Sequence, residues 1–337
     1  MDNLTHTLTA LAMSQAGLNR KTRFATLALV IGANLPDIDL LWSMGGHGNY
    51  LKYHRGFTHS LAGVAVLGAA LAALIHYVGQ RAGPPKKASP PLDARWLFII
   101  CWIATGSHLL MDFTNAYGVR LFSPFSERWY AWDIMPIVDF LLLALLILGL
   151  GVPALFRIIS EEVGARKPAY QRGAIFALAG LVLLWGVRDL AHRRALSLLD
   201  ANTYGHEDPL EIGAFPTFAS PLAWSGVAET NSAFYVLGVD ALADNVDPRR
   251  ARVLPKAEPS PALEAALKTR TGGVFADFAR FLWSQVDETE DGYDVTLRDL
   301  RFASVSEERP GFVVRIALDK NLRVESEEFS FSGRTRN

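Results

Sequence analysis

The chain has 337 residues, half of them hydrophobic and 20% charged, with a formal net charge of −1. A positive mean hydropathy is high for a soluble protein of this length, and the near-zero charge leaves no electrostatic footprint for nucleic acid. One cysteine, Cys101, excludes an intrachain disulfide and a zinc site built on thiolates.

Residues 3–18 read as a short helix, with Leu4, Leu8, Leu11 and Ala12 at helical spacing. A basic turn, Asn19 to Arg23, leads to a second apolar segment, 24–35, which Pro36 ends. Both fall short of the roughly 20 residues a full span needs. The start, Met1-Asp2-Asn3, is acidic where a secretory signal is basic, so targeting is expected from uncleaved membrane segments. Full spans are predicted at 61–79, 96–111, 137–158 and 173–190, with loops at 79–95, 113–135 and 157–172.

Three basic groups fall in alternate loops: Arg20-Lys21-Arg23, Arg81-Lys86-Lys87-Arg95 and Arg157-Arg166-Lys167-Arg172. The positive-inside rule places these loops in the cytoplasm. The N-terminus, 36–60, 113–135 and everything after 190 then face outward, although Arg188, Arg193 and Arg194 run against the rule.

After about residue 195 the spans stop and acidic residues accumulate. Residues 261–285 look helical, while 293–302, 312–318 and 322–331 alternate as strands do. The fold class expected is an all-α multi-span membrane domain, 1–194, followed by a soluble α+β domain, 195–337, on the outward side.

Chemistry gathers in four polar clusters on the lips of apolar segments. They are Asn3-Leu4-Thr5-His6, Asn34 to Asp39, His54 to Ser60, and His108 to Asp112. Polar groups set against lipid are costly unless they bind something, so the four are expected to converge on one metal site. His108 and Asp112, four apart on a helix, share a face. Asp37 also suits a helix cap, and a second carboxylate, Asp39, is harder to explain that way. His54 and His59 flank Arg55, whose fork suits a phosphoryl oxygen or a lipid headgroup. Thr58 and Ser60 fit as caps of the span that begins at Leu61. Asp133 and Asp139 are weaker candidates, and His47, His76, His192 and His206 are given no role. Mixed imidazole and carboxylate ligation suits zinc, manganese or iron better than calcium or magnesium. No phosphate-binding loop, zincin helix or nucleophile elbow is present.

These motifs resemble those of the bacterial YdjM-like inner-membrane proteins, described as membrane-bound metal-dependent hydrolases. The resemblance covers about residues 1–140. That family is in turn distantly similar to zinc-dependent phospholipase C and P1-type nucleases, helical enzymes that cleave phosphoesters at clustered zinc ions. It implies ligation by His6, Asp37, His54, His59, His108 and Asp112. A second histidine-plus-acid helix motif of those enzymes is missing here, which implies one or two ions and not three.

The function expected is hydrolysis of a phosphoester, lipid or lipid-linked, by water activated on a divalent metal, zinc first. Asp39 would be general base or ligand orienter, and Arg55 the substrate clamp. The rival is a non-catalytic membrane protein whose metal or polar site is structural and whose C-terminal domain binds a partner. A transporter ranks last, because only His76 and Asp139 are ionisable near mid-span.

Overall fold

The apolar runs become helices, and the loops between them bring the polar clusters together. The fold is taken from a computed structural model that describes residues 1–45, 47–83, 89–163, 170–218, 220–303 and 311–330. Lys86, Lys87, Arg166, Lys167 and Phe331 lie outside the described residues, as does the side chain of Arg157. The chain divides into two compact units, Met1–Leu41 with Arg55–Val187, and Trp42–His54 with Arg188–Asn337.

The first unit is helical. Helix α1 (Asn3–Gln15) is capped by Asp2, whose carboxylate accepts from the Thr5 amide. Helix α2 (Ala25–Gly32) ends before Pro36, as expected. The chain then continues as a 3₁₀ segment, Leu35–Gly45, that carries Asp37 and Asp39. A short helix, α3 (His47–Tyr53), belongs to the second unit, and a 3₁₀ turn, Phe57–His59, precedes α4 (Leu61–Arg81). Then come α5 (Ala94–Phe113), α6 (Phe140–Val163) and α7 (Tyr170–Asp200).

Among the described residues, four helical stretches are long and apolar enough to cross a membrane: Ala25–Trp42, Leu61–Arg81, Ala94–Phe113 and Gln171–Asp200. The 3₁₀ extension past Pro36 lengthens a segment that the proline made look short. The span expected at 137–158 is a helix, but its described apolar part, Phe140–Phe156, is shorter than the other four. Leu74, Ile99, Leu148 and Leu183 are exposed on these helices, where a lipid tail and not water is the natural neighbour. Inward, Leu29, Leu71, Leu97 and Ile100 form one core, and Met111, Leu142, Leu146 and Leu181 another.

Two glycines set the packing. A Cβ on Gly32 would meet the Ala104 Cβ at 2.7 Å, so α2 and α5 approach backbone to backbone. A Cβ on Gly63 would meet the Phe57 carbonyl oxygen at 1.8 Å, so only glycine lets the first turn of α4 close against the turn that carries His59.

Among the described residues, the second unit holds two antiparallel four-stranded meanders. The first joins β1 (Glu211–Pro216), β2 (Ala223–Glu229), β3 (Ala233–Asp240) and β4 (Arg252–Pro255) in that order. After α8 (Pro261–Lys268) and α9 (Arg270–Phe278) comes the second, β5 (Leu282–Glu288), β6 (Gly292–Asp299), β7 (Val313–Asp319) and β8 (Val324–Ser330). Residues 282–285, expected as helix, are the start of β5. The sheets are tied by the Trp283 indole N–H, which donates to the Pro255 carbonyl at 2.9 Å.

Candidate metal centre

In the first unit the start of α1, the end of α2, the start of α4 and the end of α5 meet at one end of the bundle. The basic residues Arg20 and Arg23 lie at the other end, where Arg23 donates to the carbonyls of Pro91 and Gly83. Five of the six residues expected as ligands, His6, Asp37, His59, His108 and Asp112, are buried together at the first end. His54 closes α3 in the second unit, where its ring stacks on Tyr50.

The tautomers follow from the outer partners. His108 Nδ1 lies 2.7 Å from the Ala33 carbonyl, an acceptor only, so Nδ1 carries the proton and Nε2 a lone pair. His59 Nδ1 faces Asp39 Oδ2 at 3.1 Å and Thr58 Oγ1 at 3.0 Å. A proton on Nδ1 serves these oxygens and leaves the lone pair on Nε2. The two Nε2 atoms then face each other at 3.0 Å.

Around them stand two carboxylate oxygens. Asp37 Oδ1 is 3.3 Å from His59 Nε2 and 3.5 Å from His108 Nε2. Asp112 Oδ2 is 3.3 Å and 3.6 Å from the same two atoms. Four lone-pair donors converging in this way repel one another unless a cation sits between them. A tetrahedral ion with bonds of about 2.1 Å has ligand–ligand edges of about 3.4 Å. These five edges, 3.0–3.6 Å, lie close to that value, so Asp37, His59, His108 and Asp112 can hold a metal ion.

Asp112 faces two ways. Its Oδ1 meets the Met1 ammonium and lies 3.3 Å from His6 Nε2. His6 also stacks on His108, ring centroids 4.0 Å apart. Burial pushes the His6 imidazole well below its usual range and keeps it neutral.

Asp39 supports the cluster from behind. Its Oδ2 accepts from the Arg55 amide at 3.0 Å and from the Thr58 hydroxyl at 2.7 Å. Thr58 therefore orients the cluster and does not cap α4. Ser60 is that cap, accepting from the Gly63 amide at 3.0 Å. Arg55 is buried with φ +59°, a left-handed backbone that costs a side-chain-bearing residue energy and gathers at functional sites. Its Nε lies 3.1 Å from Asp112 Oδ2, and its guanidinium covers the Tyr117 ring.

Of the weaker candidates, Asp139 caps α6, accepting from the Leu142 amide at 2.7 Å. Asp133 is buried at a left-handed position outside the ligand group. His76 sits in the last two turns of α4, beside Gln80. Sequence reasoning missed the Ala33 carbonyl, Asn115 and Tyr117. A backbone oxygen has no signature in a sequence, and Asn115 reads as an ordinary residue past a helix end.

Residues 261–335 match the YfhP C-terminal alpha/beta plait domain. Over 335 residues the chain is 24% identical to a Bacillus subtilis (strain 168) protein described as "Uncharacterized protein YfhP", covering 96% of this chain and 93% of that one. No solved structure matches. Residues 1–195, which carry the whole helical cluster, match the YdjM inner membrane protein family, and the chain belongs to that family.

Proposed function

We propose that the protein is a membrane-bound, metal-dependent hydrolase of a phosphoester, lipid or lipid-linked. The observation that carries this reading is the meeting of two imidazole Nε2 atoms and two carboxylate oxygens at tetrahedral edge lengths. Zinc suits the mixed nitrogen and oxygen donors best, with manganese or iron next. When bound, such an ion supplies a Lewis acid and lowers the pKa of water toward neutrality.

The chain's own residues do the rest. Asp37, His59, His108 and Asp112 form the shell, and His6 supports Asp112 from its second oxygen. Asp39, engaged by Thr58 and Arg55, is the orienter of His59 and not the general base. Arg55 lies beside Asp112 and supplies positive charge for a phosphoryl oxygen. The basic end of the bundle faces the cytoplasm in this reading, which puts the site and the residues after 194 on the outer face. Membrane lipid is then the nearest substrate pool.

Elemental analysis of purified protein, followed by assays on phospholipid and model phosphodiesters with added zinc or manganese, tests the proposal. Stoichiometric metal with ester cleavage supports it. Bound metal with no cleavage of any ester class leaves the second reading, a structural metal site. One observation favours that reading: His59, His108 and Asp112 are fully buried. A structural ion stays bound during prolonged dialysis against chelator, whereas an ion with an open position exchanges.

A further inference from the structure

Asn115 lies two residues beyond α5 and is fully buried. Its backbone amide donates to the Asp112 carbonyl, which fixes it beside the cluster. Its side-chain Oδ1 accepts two hydrogen bonds, from Arg55 Nη1 and from the Tyr117 amide, each at 2.9 Å. These two donors settle which end of the side chain is oxygen. With Oδ1 and Nδ2 exchanged, three donors would face one another.

The Nδ2 group, with two N–H bonds, is left without a hydrogen-bond partner among the described residues. A buried donor in that state is costly and calls for an acceptor. It sits one hydrogen bond from Arg55, whose Nε faces Asp112. Tyr117 stacks on the guanidinium at 4.7 Å, so Arg55 and Asn115 form a stiff pair, set before any ligand arrives.

We propose that Asn115 Nδ2 is an oxyanion donor of this site, and that with Arg55 it binds an oxygen of a phosphoryl-type anion beside Asp112. The proposal rests on the phosphoester reading and adds the residue that recognises the anion. A neutral amide suits the position. A further carboxylate would repel the ligand, and an ammonium would pair with Asp112 instead.

The test is calorimetric titration of inorganic phosphate into the full-length, detergent-solubilised protein, before and after zinc loading, with chloride as the ionic control. Metal content is measured in parallel. Asn115→Asp keeps the shape and the oxygen that Arg55 and Tyr117 bind, but replaces the donor with an acceptor. Asn115→Ala removes both.

Phosphate affinity is expected to fall about tenfold or more in either variant, the worth of one hydrogen bond to an anion, with zinc content unchanged. Wild-type affinity in a folded variant overturns the proposal, and so does a wild-type protein that binds no phosphate. A wild type that holds no zinc sinks the metal reading separately, and the metal-free phosphate titration still judges Asn115. Should neither variant fold, the wild type decides by its melting temperature, which must rise with added phosphate and not with chloride.

Discussion

The two units bury charge in opposite ways. In the second, Asp299 and Arg301 form a closed pair. The guanidinium Nε donates to Asp299 Oδ2 at 2.8 Å, Nη2 donates to the Phe278 carbonyl at 2.7 Å, and the Phe278 ring covers the cation. In the first unit Asp37 and Asp112 crowd around lone-pair nitrogens, Asp39 backs the protonated Nδ1 of His59, and the Arg55 guanidinium faces Asp112. A buried group whose partners are all protein holds a fold in shape. A buried group whose lone pairs face one another is built for something brought from outside.

The sharpest way to break this contrast is Asp112→Ala. It removes a donor shared by His59, His108, Arg55 and His6. Stoichiometric zinc should be lost in elemental analysis, and a variant that keeps its metal would erase the distinction. Arg301→Ala strands a carboxylate in the second unit and should cost about 3–5 kcal/mol in urea unfolding. Replacing both partners, Asp299→Leu with Arg301→Met, should be near neutral, because a closed pair gives back its desolvation when both members leave. Either change should leave zinc content untouched.

A smaller effect is expected from Asp39→Ala, which keeps every proposed ligand but frees the His59 ring. Zinc affinity should fall about 10–100-fold in competition with a chromophoric chelator. An unchanged affinity would remove Asp39 from the site. The mildest change is Ser60→Ala, a helix cap beside the cluster, worth about 1 kcal/mol in thermal unfolding with metal still bound.

The apolar helices and the α+β unit after them were legible in the sequence, as was the gathering of Asp37, His59, His108 and Asp112. His6, Asp37, His59, His108 and Asp112 stood out because imidazoles and carboxylates beside apolar runs have few other reasons to be there. His54 carried the same signal. The first sheet went unseen for a physical reason. Strand β3 is buried at Ala233, Phe234, Tyr235, Val236 and Leu237 in succession, so it lacks the alternation that marks a strand with one wet face. In β1, Gly213 and Ala214 blunt the pattern further. At β5 the helical pattern of α8 and α9 runs on into Leu282 and Trp283, and chemistry alone does not mark the change of period. Pro36 stopped α2 as it should, and a 3₁₀ segment with looser demands carried on past it.

The missing side chain at Gly63 has a mechanical meaning. Because the head of α4 and the Phe57 carbonyl touch with no room for a methyl group, that membrane helix and the turn bearing His59 shift as one body. Bilayers of different thickness tilt their helices differently. A tilt of α4 would be passed to the turn that holds the His59 imidazole, because no slack separates the two backbones.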